Sequence, residues 1–141
     1  MQTFEVRRTI KAPPARVWAR LTDAPALVSG DLGILRLEGR IAPGERLSLT
    51  SEAAPRRAFV LHVHEFAPER RMVWTGGLPL GLFTGVREFT LSPSTQGTEF
   101  HMRETFRGPL AGLIGRTMPD LTPSFEKFAD GLRAMAEEEG A

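Results

Sequence analysis

Cysteine and tyrosine are both missing from this chain of 141 residues. Without cysteine there is no disulfide, no thiol nucleophile and no zinc–thiolate site. Nothing then points to an oxidising compartment. Without tyrosine there is no phenolic acid catalyst. No block of like charge is present: the net charge is +1, with 18 basic and 17 acidic residues interspersed. Nucleic acid is therefore not an expected partner. The longest uncharged run, residues 72–86, is too short to span a bilayer and is broken by glycine and proline. The N-terminus places Glu5, Arg7, Arg8 and Lys11 where a secretion signal needs an apolar stretch. A soluble cytoplasmic protein without stable membrane insertion is expected. No nucleophile-elbow sequence and no phosphate loop occurs.

What is present suits one globular domain covering residues 1–141. Apolar residues make up 41% and charged residues 25%, enough to bury a core at this length. No repeat or linker divides the chain.

The most informative stretch is residues 86–108, VREFTLSPSTQGTEFHMRETFRG. Two alternating strands flank a turn rich in Ser, Pro and Gly. Arg87, Phe89 and Leu91 share one face of the first strand. Phe100, Met102, Glu104 and Phe106 share the matching face of the second. An arginine and a glutamate thus fall among apolar residues on the side expected to be buried, a cost offset by pairing or kept for function.

Upstream, Phe4, Val6 and Ile10 alternate with Glu5, Arg7 and Thr9 in a half-buried strand. Arg8 falls on its apolar face, near the strand's end, where its stem can lie along the core and its head reach water. Pro13 and Pro14 suit a helix entry, with Val17, Trp18 and Leu21 as the apolar stripe. Pro25 ends or redirects that helix, and a short turn over 26–29 follows. Leu35, Leu37 and Ile41 then alternate with Arg36, Glu38 and Arg40. Leu47 and Leu49 alternate with Arg46, Ser48 and Thr50. A longer strand is expected over 57–66, with Phe59, Leu61 and Val63 on one face. Another, over 71–75, carries Trp74. Residues 76–85, GGLPLGLFTG, read as an apolar glycine-rich loop, a loose edge leading into the hairpin that follows, a poorly ordered hairpin tip or an interface. Residues 108–115 have the same character, and both are candidate gates over a pocket. Residues 120–138 read as a helix with Leu121, Phe125, Phe128, Leu132 and Met135 in one stripe and a solvated end at 137–139.

Three stretches, IKAPPARVWARLTD, EFAPERRMVW and GTEFHMRETFRGPLAGLIG, occur in that order ahead of a final helix carrying phenylalanines. Together they make the whole chain resemble the START-like, or SRPBCC, superfamily, nearest to its bacterial polyketide cyclase/dehydrase branch. The resemblance implies an α+β helix-grip fold. In it a curved antiparallel sheet of about seven strands wraps a long C-terminal helix, with one or two short helices after the first strand. It also implies an internal cavity for lipids or other hydrophobic ligands. The superfamily spans carriers, receptors, cyclases, oxygenase subunits and co-chaperones, and a fold does not choose among them.

The candidate ligand-binding residues are Trp74, Arg87, Phe89, Met102, Glu104, Phe106, Phe125 and Phe128. Arg87 and Glu104 are a polar anchor in an apolar cavity, the catalytic candidates of a cyclase or dehydratase, or a structural ion pair. His62 and His64 share a strand face but lack a carboxylate or third histidine spaced to complete a metal site, and His101 has outward parity. No metal and no cofactor is expected. The first reading is a non-catalytic protein that binds a hydrophobic small molecule; a homodimer is compatible with it. A cyclase/dehydratase-type enzyme is the alternative, and a co-chaperone-like interaction module a third. The first two require a ligand-sized cavity with Arg87 and Glu104 on its wall. A filled core with an exposed apolar patch favours the third.

Overall fold

The computed structural model describes residues 2–116 and 120–138. The chain runs β1 (Gln2–Ile10), α1 (Pro14–Leu21), α2 (Ala24–Ser29), β2 (Ile34–Glu38), β3 (Arg46–Ser51), β4 (Ala54–Ala67), β5 (Arg71–Leu78), β6 (Phe83–Ser94), β7 (Gly97–Arg107), α3 (Ala111–Gly115) and α4 (Thr122–Glu138). The seven strands form one antiparallel sheet in the order β1-β7-β6-β5-β4-β3-β2. From β2 to β7 the order is that of the sequence, as successive hairpins dictate. Only β1 travels, pairing with β7 from Gln2↔Phe106 to Ile10↔Thr98. The sheet curls around α4, which is the α+β helix-grip architecture.

Local chemistry explains most boundaries. Pro14 sits in the first turn of α1, where its missing N–H costs nothing. The Thr22 hydroxyl donates to the Trp18 carbonyl at the helix end. Pro25 opens α2 rather than closing α1, with the Asp23 side chain accepting from the Ala26 N–H at 3.2 Å. Asp120 accepts from the Thr122 N–H at 3.0 Å, so α4 begins just after it. That bond holds the Asp120 carboxyl below its usual range.

The apolar stripe of α4 is buried at Phe125, Phe128, Ala129, Leu132 and Ala136. Burying one such phenylalanine or leucine stabilises by roughly 2–3 kcal/mol. Gly131 lets the helix close on the chain: a Cβ there would lie 2.7 Å from the Asp31 carbonyl oxygen. Arg8 fastens β1 to the helix. Its Nε donates to Asp130 at 2.7 Å, and its head lies 3.7 Å from Glu126. That bond raises the Arg8 guanidinium and lowers the Asp130 carboxyl. At the other end of the helix Glu137 accepts from the Lys11 N–H; Glu139, expected in the solvated end, lies outside the described residues.

Two expectations are corrected. Leu35 is 48% exposed, while Ile34 and Leu37 are buried. A register shift between Ile34 and Arg36 resets the alternation that the leucines suggested. The strand expected from residue 57 begins at Ala54, and Phe59 is exposed with Val60. The reason is that β4 pairs with β5 only from His62 onward. Of the readings open for residues 76–85, the hairpin tip is the one formed, paired from Gly76↔Gly85 to Leu78↔Phe83 and closed by a 3-10 turn at Pro79–Gly81.

Candidate functional site

Strand register builds a row of side chains across the concave face. Val63 of β4 lies opposite Trp74 of β5, Trp74 opposite Arg87 of β6, Arg87 opposite Glu104 of β7, and Glu104 opposite Phe4 of β1. Opposed residues share a face of the sheet, so one polar pair sits between apolar neighbours. Arg87 donates to Glu104 Oε1 twice, from Nη2 at 2.7 Å and Nε at 3.1 Å. The guanidinium also lies 4.8 Å from the Phe125 ring centroid, under the final helix. The pair is mostly buried, with side chains 19% and 13% exposed.

Beside it, the Trp74 indole Nε1 is buried with no hydrogen-bond acceptor among the described residues. A buried donor left unpaired costs about 1–3 kcal/mol. Trp74 cannot turn away easily, because its ring packs edge-on against Phe89 at 4.7 Å. Phe89 packs on Phe128 at 5.9 Å, and Phe128 on Phe100 at 6.5 Å.

The structure thus brings all eight predicted residues onto one concave face or the helix above it. They do not form the wall of an open cavity. Phe89 and Met102 are 0% exposed, leaving no water-sized space against them, and Trp74, Phe125 and Phe128 are nearly as buried. Two surface hollows lie elsewhere. One, of about 320 Å³, is lined by Gln2 and the α3 segment. The other, of about 300 Å³, is lined by Glu52, Asp120 and Lys127 among others.

The row next to Arg87–Glu104 is different in kind. There Gly76 faces Gly85, and Gly85 faces Phe106. A Cβ on Gly85 would lie 3.1 Å from both Glu104 Oε2 and the Phe106 ring. At Gly85 movable side chains fill this gap, whereas at Gly76 the Val60 backbone carbonyl closes it. Phe106 in turn stacks on Phe83 at 5.4 Å and meets Phe4 edge-on at 6.2 Å. Sequence reasoning placed Phe83 in a candidate gate and missed Gly76, Gly85 and Phe4 as residues of the site itself. The two glycines carry no side chain and so gave no sign of which face they occupy. Phe4 was placed on an inward face, but nothing local says that β1 joins β7.

The two candidate gate segments meet. The Leu110 N–H donates to the Leu82 carbonyl at 2.9 Å, and Gly108 (φ 110°) passes so close that a Cβ would lie 2.6 Å from that oxygen. On the convex face His62 and His64 stack at 5.7 Å, and His64 Nε2 lies 2.6 Å from the Thr75 hydroxyl. His101 bonds Glu5 at 2.9 Å, which holds the Glu5 carboxyl below its usual range. No group of three His, Asp or Glu side chains among the described residues is arranged to hold a metal.

A family described as polyketide cyclase / dehydrase and lipid transport matches residues 1–137. The chain belongs to this family. No curated protein matches it. Among solved structures, protein MLL2253 from Mesorhizobium loti is similar over 97% of this chain and 98% of its own, with 20% identity and a TM-score of 0.76. TTHA0849 from Thermus thermophilus is similar over 99% and 100%, with 19% identity and a TM-score of 0.73. The di-domain ARO/CYC StfQ from the steffimycin biosynthetic pathway is similar with 15% identity and a TM-score of 0.73, over 98% of this chain and 52% of StfQ. At these identities the neighbours share the fold of the family member described above. No helix among the described residues is long and apolar enough to cross a membrane.

Proposed function

We propose that the protein binds a hydrophobic small molecule bearing a carbonyl or carboxylate oxygen. The supporting observation is the unpaired Trp74 indole N–H beside the Arg87–Glu104 pair, in otherwise apolar surroundings. A ligand oxygen would satisfy that donor and share the Arg87 guanidinium. The apolar body would lie along Phe106 and Phe125, with Phe89, Met102 and Phe128 as the inner stop. The ligand-sized cavity expected from the sequence is absent among the described residues, because the interior is filled. Binding therefore depends on an opened state in which Phe106 and Glu104 swing off Gly85. It weakens in proportion to the rarity of that state. A diffusible cytoplasmic carrier, as monomer or homodimer, is the setting for this reading.

Native mass spectrometry of protein from its own host, with titration of a fluorescent fatty acid, tests it. Micromolar binding is expected, with Trp74→Phe weakening it about tenfold through loss of the donor. No bound species and no titration, or identical binding by the variant, would refute the proposal.

Cyclase-type catalysis is a second reading, favoured by one feature. Both Arg87 bonds fall on Glu104 Oε1, leaving Oε2 over Gly85 as a proton acceptor for an entering substrate. Glu104→Gln should then abolish turnover of a polyketide substrate and spare binding. The interaction-module reading draws on the filled interior and the exposed apolar end. It gains if no small molecule binds.

A further inference from the structure

Leu35 apart, the large apolar side chains left exposed among the described residues are unevenly placed. Leu78, Leu80 and Leu82 line the β5–β6 tip, Leu113 stands on α3, and Phe59 and Val60 lie on the half of β4 that pairs with β3 but not with β5. These six sit at one end of the half-barrel. The tip and α3 are tied together by the Leu110–Leu82 bond. Val60 is beside them, since its carbonyl would lie 2.7 Å from a Cβ on Gly76. Leu80 is the extreme case: 95% exposed, and held at φ 62°. A leucine in the left-handed region is disfavoured, and here no packing offsets it.

Along the segments that carry these six side chains the charge has one sign, while Glu52, Asp31 and Asp120 lie at the adjoining corner with Lys127. Residues 53–64, 72–86 and 105–116 contain Arg56, Arg57, Arg107 and Arg116 and no aspartate or glutamate. Arg107 lies opposite Thr84 at the root of the tip. Arg57 lies over the exposed Phe59 ring at 5.5 Å. At the adjoining corner the acids Glu52 and Asp31 are already held by Lys127, at 2.7 and 3.3 Å. Exposed leucines ringed by arginines match the layering of an anionic lipid surface, with phosphates outside and acyl chains beneath.

We infer that this end docks reversibly on anionic lipid bilayers, with Leu80 and Leu113 inserted and the arginines at the phosphate level. The inference goes beyond the ligand-binding proposal and does not depend on it. The docking face lies outside the Trp74–Arg87–Glu104 row, so a carrier or an enzyme could use it equally.

Vesicle co-sedimentation of the intact protein tests it. Phosphatidylcholine vesicles are compared with mixed phosphatidylcholine/phosphatidylglycerol vesicles, at low and high salt. Binding is expected on the mixed vesicles only, falling as salt rises. Leu80→Asn tolerates the left-handed backbone and leaves a side chain that packs on nothing, so the fold should be unchanged by circular dichroism. Leu80→Asn with Leu113→Ser should weaken vesicle binding by at least about tenfold. Arg107→Gln and Arg116→Gln should weaken it about fivefold each. The fatty-acid titration of the wild-type protein, done without vesicles, is a separate readout, so failure here is distinct from failure of the ligand proposal. No binding of the wild type to mixed vesicles, or equal binding by the leucine variant, would overturn the inference. Self-association that Leu80→Asn abolishes, without vesicle binding, would also overturn it and assign the patch to a second copy of the chain.

Discussion

Arg87 and Glu88 are neighbours on β6, and Arg103 and Glu104 are neighbours on β7. The register sets Arg87 against Glu104 and Glu88 against Arg103. Two arginine–glutamate pairs therefore stand back to back across a single sheet. The outer pair is one link in a network. Glu88 accepts from Arg103 and from Arg71, both at 2.9 Å, and Arg71 also approaches Glu65 at 3.5 Å. These arginines hold the Glu88 carboxyl below its usual range, the Arg103 bond contributing most. The inner pair has no such company. It is covered by Phe125 and flanked by Phe4 and Trp74, with no further ion among the described residues to share its charge. The same two residue types thus act as a solvated clasp on one face and as an isolated polar spot on the other. The difference lies in desolvation, not in pairing geometry.

Breaking the inner pair should have the largest effect. Glu104→Leu leaves a guanidinium facing apolar side chains, and urea denaturation should show a loss of about 3 kcal/mol. Adding Arg87→Met to it should restore stability to within about 1 kcal/mol of wild type. A double variant as unstable as the single one would show that the pair is not a self-contained unit. The outer counterpart, Glu88→Gln, should cost about 1 kcal/mol at neutral pH and less in high salt.

That smaller effect carries a pH signature. The folded-state pKa of Glu88 is depressed, so its contribution is present above the unfolded value, about 4.3. It disappears as pH falls through the folded value. The stability gap between wild type and Glu88→Gln should shrink on acidification, as measured by thermal unfolding from pH 7 downward. A constant gap would mean the outer pair is as shielded as the inner one. The smallest stability change is expected for Trp74→Phe, within about 1 kcal/mol, because lost ring volume is set against removal of an unpaired donor. A large loss would show that the indole is primarily a packing element.

Much of this arrangement was legible in the chain. Alternation in β6 and β7 placed Arg87, Phe89, Met102 and Glu104 on one face, because a strand's side-chain period of two fixes parity without knowing the partner. The spacing of Phe125, Phe128 and Leu132 likewise fixed the inner face of α4. Leu35 and Phe59 were misplaced for a shared reason. Parity fails at a bulge, and it cannot say where a neighbouring strand stops. The glycine gap at Gly76 and Gly85 was illegible because glycine carries no periodicity signal. Its meaning lies in the residues that lean into it.

The amino-acid order alone determined most of the strands and the final helix, most of their apolar faces and the presence of two charges among the inward residues. Those are properties of local periodicity, while the helix-grip arrangement came from the family resemblance. Tertiary structure alone decided that Trp74, Arg87, Glu104 and Phe4 form one row, since β1 reaches β7 only by a contact spanning nearly the whole chain. It also decided that the interior is filled and that the uncovered leucines gather with arginines at one end. Burial and clustering depend on which segments stop short of covering which others, and no local pattern encodes that.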